Sequence, residues 1–313
     1  MEITRRNLLQ SITKSVVGTF AGGAVLSVAD PAPAQAEERQ TPPDKTIAML
    51  YDAIKCIGCQ SCVSACVEAS DVSPDHPIDS PRQLRREQHD TNKSAIKLYR
   101  PADGGPYSFV KQQCVHCVDP ACVASCMFKA LKKEAGTGIV TWSPSLCVGC
   151  RYCEIVCPYH IPKFQWQGIN PKIVKCEFCK GRLLQGKDPA CASVCPTHAV
   201  VYGTRANLLR EAASRIGKSP GRYYQGRAFG DRDGGGTQVL YLTQAPFEKL
   251  GLPSLGTESI PGRYLKWQKR IYGYLLIPSL LYAALVCVLR KNWRSHDAQL
   301  NEKERSTGLR PQL

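Results

Sequence analysis

Sixteen of the seventeen cysteines in this 313-residue chain fall into four groups of four, and any fold it adopts must bring them together. The groups are Cys56, Cys59, Cys62, Cys66; Cys114, Cys117, Cys122, Cys126; Cys147, Cys150, Cys153, Cys157; and Cys176, Cys179, Cys191, Cys195. The first and third follow Cys-x2-Cys-x2-Cys-x3-Cys, the second opens to x2, x4, x3 and the fourth to x2, x11, x3. The tight runs have the spacing of iron-sulfur ligation. Three thiolates of such a run wrap one face of a compact cuboidal cluster, while the fourth, displaced by three residues, points to a neighbouring cluster. Each motif is therefore expected to serve two clusters, which points to electron transfer.

Other readings of the cysteines fit less well. Disulfide frameworks belong to small exported scaffolds that lack a core, and this chain is long. Zinc ribbons use two separated Cys-x-x-Cys knuckles per tetrahedral ion, and thiolates at successive three-residue steps crowd that geometry. The net charge of +15 raises nucleic acid as a partner, but no basic stretch is interleaved with aromatics, and none is expected to bind. The charge has a better account. Sixteen thiolates around four dications change it by about −8, so much of the basic excess offsets cluster charge.

The two ends indicate where the chain resides. Thr4-Arg5-Arg6-Asn7-Leu8-Leu9 reads as a twin-arginine signal, followed by a modestly apolar stretch and the small-x-small site Ala34-Gln35-Ala36. Residues 1–36 are expected to be a signal peptide for the twin-arginine export machinery, which carries proteins already folded and so allows clusters to be inserted in the reducing cytoplasm. Residues 271–289 carry no charge, close to the ~20 residues needed to span a bilayer. Trp267, Tyr272, Tyr274 and Trp293 sit where interfacial aromatics belong, and basic residues flank both ends. The expectation is one transmembrane helix, placing the cluster domain on the periplasmic face of the bacterial inner membrane and residues 290–313 in the cytoplasm. Pro278 and Cys287 inside the span read as a kink and a small apolar side chain.

Between the ends, residues 37–243 form the cluster domain and 244–270 an extended connector. Met49-Leu50-Tyr51 reads as a strand entering the first motif, and 67–113 as an irregular excursion with one strand near Tyr107 to Lys111. Lys132 to Trp142 reads as a hairpin, Ala199 to Gly203 as a strand, and Thr237 to Leu242 as another. Thr204 is a plausible N-cap for a helix through Ile216 with Leu208, Leu209, Ala212 and Ala213 on its apolar side, ended by Gly217. His116 and His160 are expected to be neighbours of the clusters or surface residues and not ligands. Lys111, Lys175 and Arg151 read as solvated basic residues whose charge could raise nearby cluster potentials.

Four motifs in this pattern resemble the four-cluster electron-transfer subunits of membrane-bound molybdopterin and hydrogenase complexes. The resemblance implies an α+β fold of two merged di-cluster ferredoxin-like units with sparse secondary structure, plus one C-terminal transmembrane helix. It implies four 4Fe-4S clusters, the outer motifs pairing with each other and the inner two likewise. Carried over, these are held by Cys56, Cys59, Cys62 with Cys195; by Cys176, Cys179, Cys191 with Cys66; by Cys114, Cys117, Cys122 with Cys157; and by Cys147, Cys150, Cys153 with Cys126.

Gly234-Gly235-Gly236-Thr237-Gln238-Val239-Leu240, then Pro246-Phe247-Glu248 and Leu252-Pro253 before a single span, is similar to the anchored ferredoxin-type subunit of hydrogenase-2 type nickel-iron hydrogenases. That resemblance implies a non-catalytic conduit, with no catalytic residue of its own. Its partners would be the hydrogenase small and large subunits and an integral-membrane quinone-binding subunit. The alternative is the beta subunit of a formate dehydrogenase or other molybdopterin oxidoreductase. A reading of another class is a structural metal-binding membrane tether that carries no electrons.

Overall fold

The computed structural model describes residues 46–70, 90–102, 104–165 and 172–307, with only the backbone described at some helical positions near the C-terminus. The signal expected at 1–36 and much of the excursion after the first motif lie outside the described residues.

The chain enters through β1 (Ile47–Asp52), whose near-continuous apolar run suits a strand covered on both faces. Ala48, Met49, Leu50 and Tyr51 are all fully buried. Helix α1 (Ser61–Glu68) carries the last two cysteines of the first motif. Strands β2 (Ser94–Tyr99) and β3 (Ser108–Gln113) then pair as an antiparallel hairpin, Ser94 opposite Gln113 and Tyr99 opposite Ser108. The excursion is thus less irregular than its sequence suggests, because Ala95 and Ile96 are buried while Lys97 alone faces solvent.

The middle of the chain alternates short hairpins with cysteine motifs. Helix α2 (Ala121–Ala124) sits inside the second motif; β4 (Leu131–Lys133) and β5 (Val140–Trp142) pair antiparallel after it, as the hairpin reading expects. Helix α3 (Tyr152–Ile155) lies in the third motif and is followed by a second hairpin, β6 (Lys163–Gln165) with β7 (Lys172–Val174). Helices α4 (Lys180–Leu184) and α5 (Ala190–Ser193) fall within the fourth.

Strand β8 (Val200–Thr204) returns antiparallel to β1, Ile47 opposite Thr204 and Tyr51 opposite Val200. Helix α6 (Arg205–Lys218) is capped by Thr204, whose Oγ1 accepts from Asn207 N at 3.4 Å. It runs one residue past Gly217, and its inner face differs from the apolar-side expectation: Ala213 is exposed and Arg215 is buried. Arg215 is tolerated there because Asp52 Oδ2, itself fully buried, receives its Nη1 at 3.0 Å.

Strand β9 (Val239–Leu242) lies parallel to β1 on its other edge, giving the sheet order β8-β1-β9. This sheet has two unlike faces. Ala48, Leu50, Leu240 and Leu242 pack against Leu208 and Ala212 of α6. Met49, Tyr51, Val239 and Tyr241 face the opposite way, into a core that also contains Cys62 and Cys191 and packs against Cys56, Cys114, Cys117, Cys157 and Cys195. The loop before β9 is pinned by Arg205, whose guanidinium donates to the carbonyls of Thr237, Gly230 and Asp231. Gly236 must be glycine here: its φ is +95°, and a Cβ would lie 3.1 Å from Asp231 O.

The connector is not extended throughout. Phe247, Leu250 and Leu252 are buried in the core, and helix α7 (Ile260–Thr307) begins eleven residues before the expected span and continues far beyond it. Pro261 at its second position has no amide to lose to the ladder, and Pro278 lies inside it. Along α7, Ile271, Tyr274, Leu280, Leu281, Tyr282, Leu285, Val288 and Leu289 are exposed. Among the described residues no helix is long and apolar enough to cross a membrane, the side chains at 272, 273 and 275–277 lying outside that description.

Candidate functional site

The backbone of the four motifs repeats more faithfully than their sequence does. Gly58, His116, Gly149 and Phe178, each two residues after a motif's first cysteine, all adopt the left-handed conformation, with φ of 70°, 48°, 72° and 55°. Lys129, His160 and His198, each three residues after a last cysteine, do so as well. Left-handed residues between right-handed ones turn successive amides toward one concavity, the arrangement that receives anions. Some of those amides meet sulfur directly: Ala130 N donates to Cys126 Sγ at 3.2 Å, Phe178 N to Cys176 Sγ at 3.4 Å. Secondary structure is sparse here for this reason. The signal was available only in part, as the glycines of Cys-Ile-Gly-Cys and Cys-Val-Gly-Cys.

The cysteines gather across motifs. At site 1, Cys56, Cys59, Cys62 and Cys195 line one recess together with Tyr51, Ile57 and Thr197. Burial pushes the Cys62 thiol up to about 11; Lys111 opposes this, and Cys56, Cys195 and Cys59 add to it. At site 2, burial drives Cys191 up to about 12 against Lys111, with Cys66 and Cys179 contributing. Cys176 is raised by burial and then by Cys66.

At site 3, Cys122 is pushed up to about 12 by burial and by its neighbours Cys114 and Cys157, while Lys175 acts in the opposite direction. Cys117 is also raised, by burial and then by Cys114, Cys157 and Cys122. At site 4, Cys126, Cys147, Cys150 and Cys153 line a second recess with Phe128, Leu131, Phe164 and Ile173. There burial, with Cys147, Cys150 and Cys126, raises Cys153 to about 12. Each of these groupings takes in the last cysteine of a different motif. Helix α1 gives the local reason. Cys62 and Cys66 are one turn apart on it, about 6 Å of rise, so one faces site 1 and the other site 2.

The sites are adjacent in a series. Cys62 is among the charges felt by Cys191, linking sites 1 and 2, and Cys153 is among those felt by Cys122, linking sites 3 and 4. Between sites 2 and 3 stands Tyr241, fully buried, near both Cys176 and Cys114. Its hydroxyl donates to Lys111 O at 3.0 Å, and its ring meets Tyr51 edge-on at 5.7 Å. His116 of the second motif stacks edge-on against Phe178 of the fourth at 4.6 Å. It is fully buried, and its Nδ1 accepts from Val140 N at 3.0 Å. His160 is exposed. Cys59 of site 1 and Cys150 of site 4 are exposed, whereas Cys176 and Cys191 of site 2 are buried.

The residues present fit a polynuclear iron-sulfur group. The donors at each site are all cysteine sulfurs, the ligand chemistry that iron-sulfur groups take. Thiols held this far above neutrality keep their protons unless a cation replaces them, and amides and lysines are already placed to favour the charged form. Two of those lysines correct the sequence reading. Lys111 and Lys175 are not solvated but 1% exposed each, whereas Arg151 is exposed as expected. Nothing in their local sequence marks them, since their burial depends on motifs distant in the chain.

Comparison with known proteins agrees with this geometry. A family model described as a 4Fe-4S dicluster domain matches residues 106–205. The chain is 35% identical to the hydrogenase-2 operon protein HybA of Escherichia coli O157:H7, an alignment covering 94% of this chain and 98% of that relative. It is 39% identical to a protein of Nitratidesulfovibrio vulgaris over 68% of this chain and 58% of the relative. It is 31% identical to the nitrate-inducible formate dehydrogenase iron-sulfur subunit of Escherichia coli K12, over 64% of this chain and 71% of that subunit.

Proposed function

Starting from a chain that belongs to the family of the hydrogenase-2 operon protein HybA, with the formate dehydrogenase iron-sulfur subunits as further relatives, we propose that it is the electron-transfer subunit of a nickel-iron hydrogenase complex. It carries electrons through four 4Fe-4S clusters between the hydrogenase small and large subunits on the periplasmic side and an integral-membrane quinone-binding subunit. The observation that carries this reading is the gathering of sixteen thiols into four adjacent sets whose members come from different motifs. Each cluster, when bound, takes up and returns a single electron.

The chain's own residues do the rest. The thiolates of each site would hold the iron, and the left-handed turns aim amides at the sulfurs. The core face of the β8-β1-β9 sheet excludes water from sites 1 to 3 through Met49, Tyr51 and Tyr241. The exposed cysteines of sites 1 and 4 put the two ends of the series at the surface, where partners can approach. Around site 4, Met127, Phe128, Leu146, Val148 and Ile155 are exposed as well, a surface suited to docking. Catalytic chemistry belongs to the partner.

Anchoring is part of the proposal. The uncharged run 271–289 lies within α7, whose exposed leucines, tyrosines and Val288 are costly in water and favourable in lipid. The leader at 1–36 would export the folded domain through the twin-arginine machinery and leave the C-terminus cytoplasmic. Full-length similarity to HybA, against partial coverage of the formate dehydrogenase subunit, favours hydrogen over formate as the electron source. Purification of the chain from membranes under anaerobic conditions tests this. Hydrogenase subunits should accompany it, and hydrogen should bleach its visible absorption while formate does not. Bleaching by formate, with molybdopterin subunits present, would replace the hydrogenase reading.

A further inference from the structure

Two buried ammonium groups have no carboxylate partner among the described residues. Lys111 Nζ bonds Gln113 Oε1, and Lys175 Nζ donates to the carbonyls of Val140 and, at 3.3 Å, Cys176. Among the described residues neither pairs with a carboxylate. A buried cation left so is expensive, which requires negative charge elsewhere. Around Lys111 the groups placed to supply it are cysteine sulfurs. Its partner Gln113 donates through Nε2 to Met49 Sδ at 3.3 Å, and Cys191 Sγ lies 4.0 Å from that same sulfur.

The placement of the two lysines is reciprocal. Lys111 lies near the end of β3, just before the second motif, whose cysteines gather at sites 3 and 4, yet its ammonium acts on cysteines of sites 1 and 2. Lys175 immediately precedes Cys176 of site 2, yet its ammonium bonds Val140 on the strand leading to the third motif and acts on Cys122 of site 3 and on His116. Each half of the chain thus lends a cation to the other. Four thiolates around a dication leave a net negative charge that grows on reduction, so a fixed cation beside it favours the reduced form.

We propose that Lys111 and Lys175 are reciprocal counter-charges, Lys111 raising the reduction potentials of the clusters at sites 1 and 2, and Lys175 raising that of the cluster at site 3. Both are positioning residues that act through the clusters, and the inference rests on the ligand sets of the proposed function. Because Lys111 stands beside two sites at once, it shifts both potentials in the same direction. Joining the halves electrostatically makes each half's cluster properties depend on the other being folded in place.

The test is an anaerobic redox titration of the iron-loaded full chain followed by EPR, with signals assigned by Cys195→Ser, Cys66→Ser, Cys157→Ser and Cys126→Ser. Lys111→Met should lower the reduction equilibrium constant of two clusters by at least tenfold, about 59 mV for a one-electron couple, and leave those of sites 3 and 4 in place. Lys175→Met should lower site 3 by more than site 2 and spare site 1. Lys111→Arg should retain wild-type potentials. Should Lys111→Met bind less iron, the loss must fall on sites 1 and 2 and be restored by Lys111→Arg. A loss at site 3, or unchanged potentials with full iron, would overturn the inference. Wild-type protein that binds no iron would instead overturn the proposed function.

Discussion

Removing the carboxylate of Asp52 should destabilise the fold by about 3 kcal/mol, toward the lower end of the 3–5 kcal/mol expected when one partner of a buried pair is deleted. Asp52 is fully buried, and its Oδ2 receives Arg215 Nη1 at 3.0 Å and the Tyr223 hydroxyl at 3.2 Å. Its Oδ1 receives Ile54 N at 3.1 Å, fixing the turn that launches the first motif. Asp52→Ala strands the Arg215 guanidinium, whose side chain is 9% exposed. Glu211, which accepts from Arg215 Nε at 2.7 Å, softens the loss and sets the lower figure.

The assay is thermal unfolding of the iron-loaded chain by far-UV circular dichroism, anaerobically and at one scan rate for all variants. At about 2–4 °C per kcal/mol for a chain of this size, the apparent Tm should fall by roughly 6–12 °C. Arg215→Met added to Asp52→Ala should recover most of that loss, since replacing both partners with apolar groups is near neutral. A fall of less than about 2 °C for Asp52→Ala, or a double variant as unstable as the sum of the singles, would refute the claim that this pair holds α6 to β1.

Three further outcomes follow from the same geometry. Gly58→Ala must adopt φ of +70°, at roughly 1–2 kcal/mol, and its Cβ would meet the Phe109 ring at 2.3 Å; iron analysis should show loss centred on site 1. His116→Phe removes the acceptor of Val140 N and should cost about 1–3 kcal/mol in denaturant unfolding, with iron content unchanged because the ring is not a ligand. Removing iron with a chelator leaves Lys111 buried without its counter-charge, so in proteolysis assays Lys111→Met should make the iron-free chain more resistant than the wild type.

What was legible in the sequence was the chemistry and the elements that stand on local signals. Cysteine spacing is a covalent pattern that tertiary context cannot override. Strand β1 with its apolar run, the glycine-turned hairpin before Trp142 and the Thr204 cap all depend on neighbours within a few residues. Strand β2 was missed because Ser94 to Tyr99 mixes polar and charged residues, and its pairing partner lies across the excursion. The start of α7 was missed because Pro261 falls at its second residue, within the stretch expected to be extended, although proline in a helix's first turn costs little. Buried Lys111 and Lys175 were illegible for a different reason: a cation enters a core only where distant residues supply negative charge, and no local window contains both.

The central claim is that each site is completed by a cysteine from another motif. Iron and acid-labile sulfide per chain, measured on anaerobically purified wild type, Cys66→Ala and Cys195→Ala, with EPR after reduction, test it most directly. About sixteen of each are expected for the wild type. Cys66→Ala should alter only the cluster shared with Cys176, Cys179 and Cys191, and Cys195→Ala only that shared with Cys56, Cys59 and Cys62. If Cys66→Ala instead alters the cluster of Cys56, Cys59 and Cys62, or if folded wild type holds zinc in place of iron, the account is contradicted.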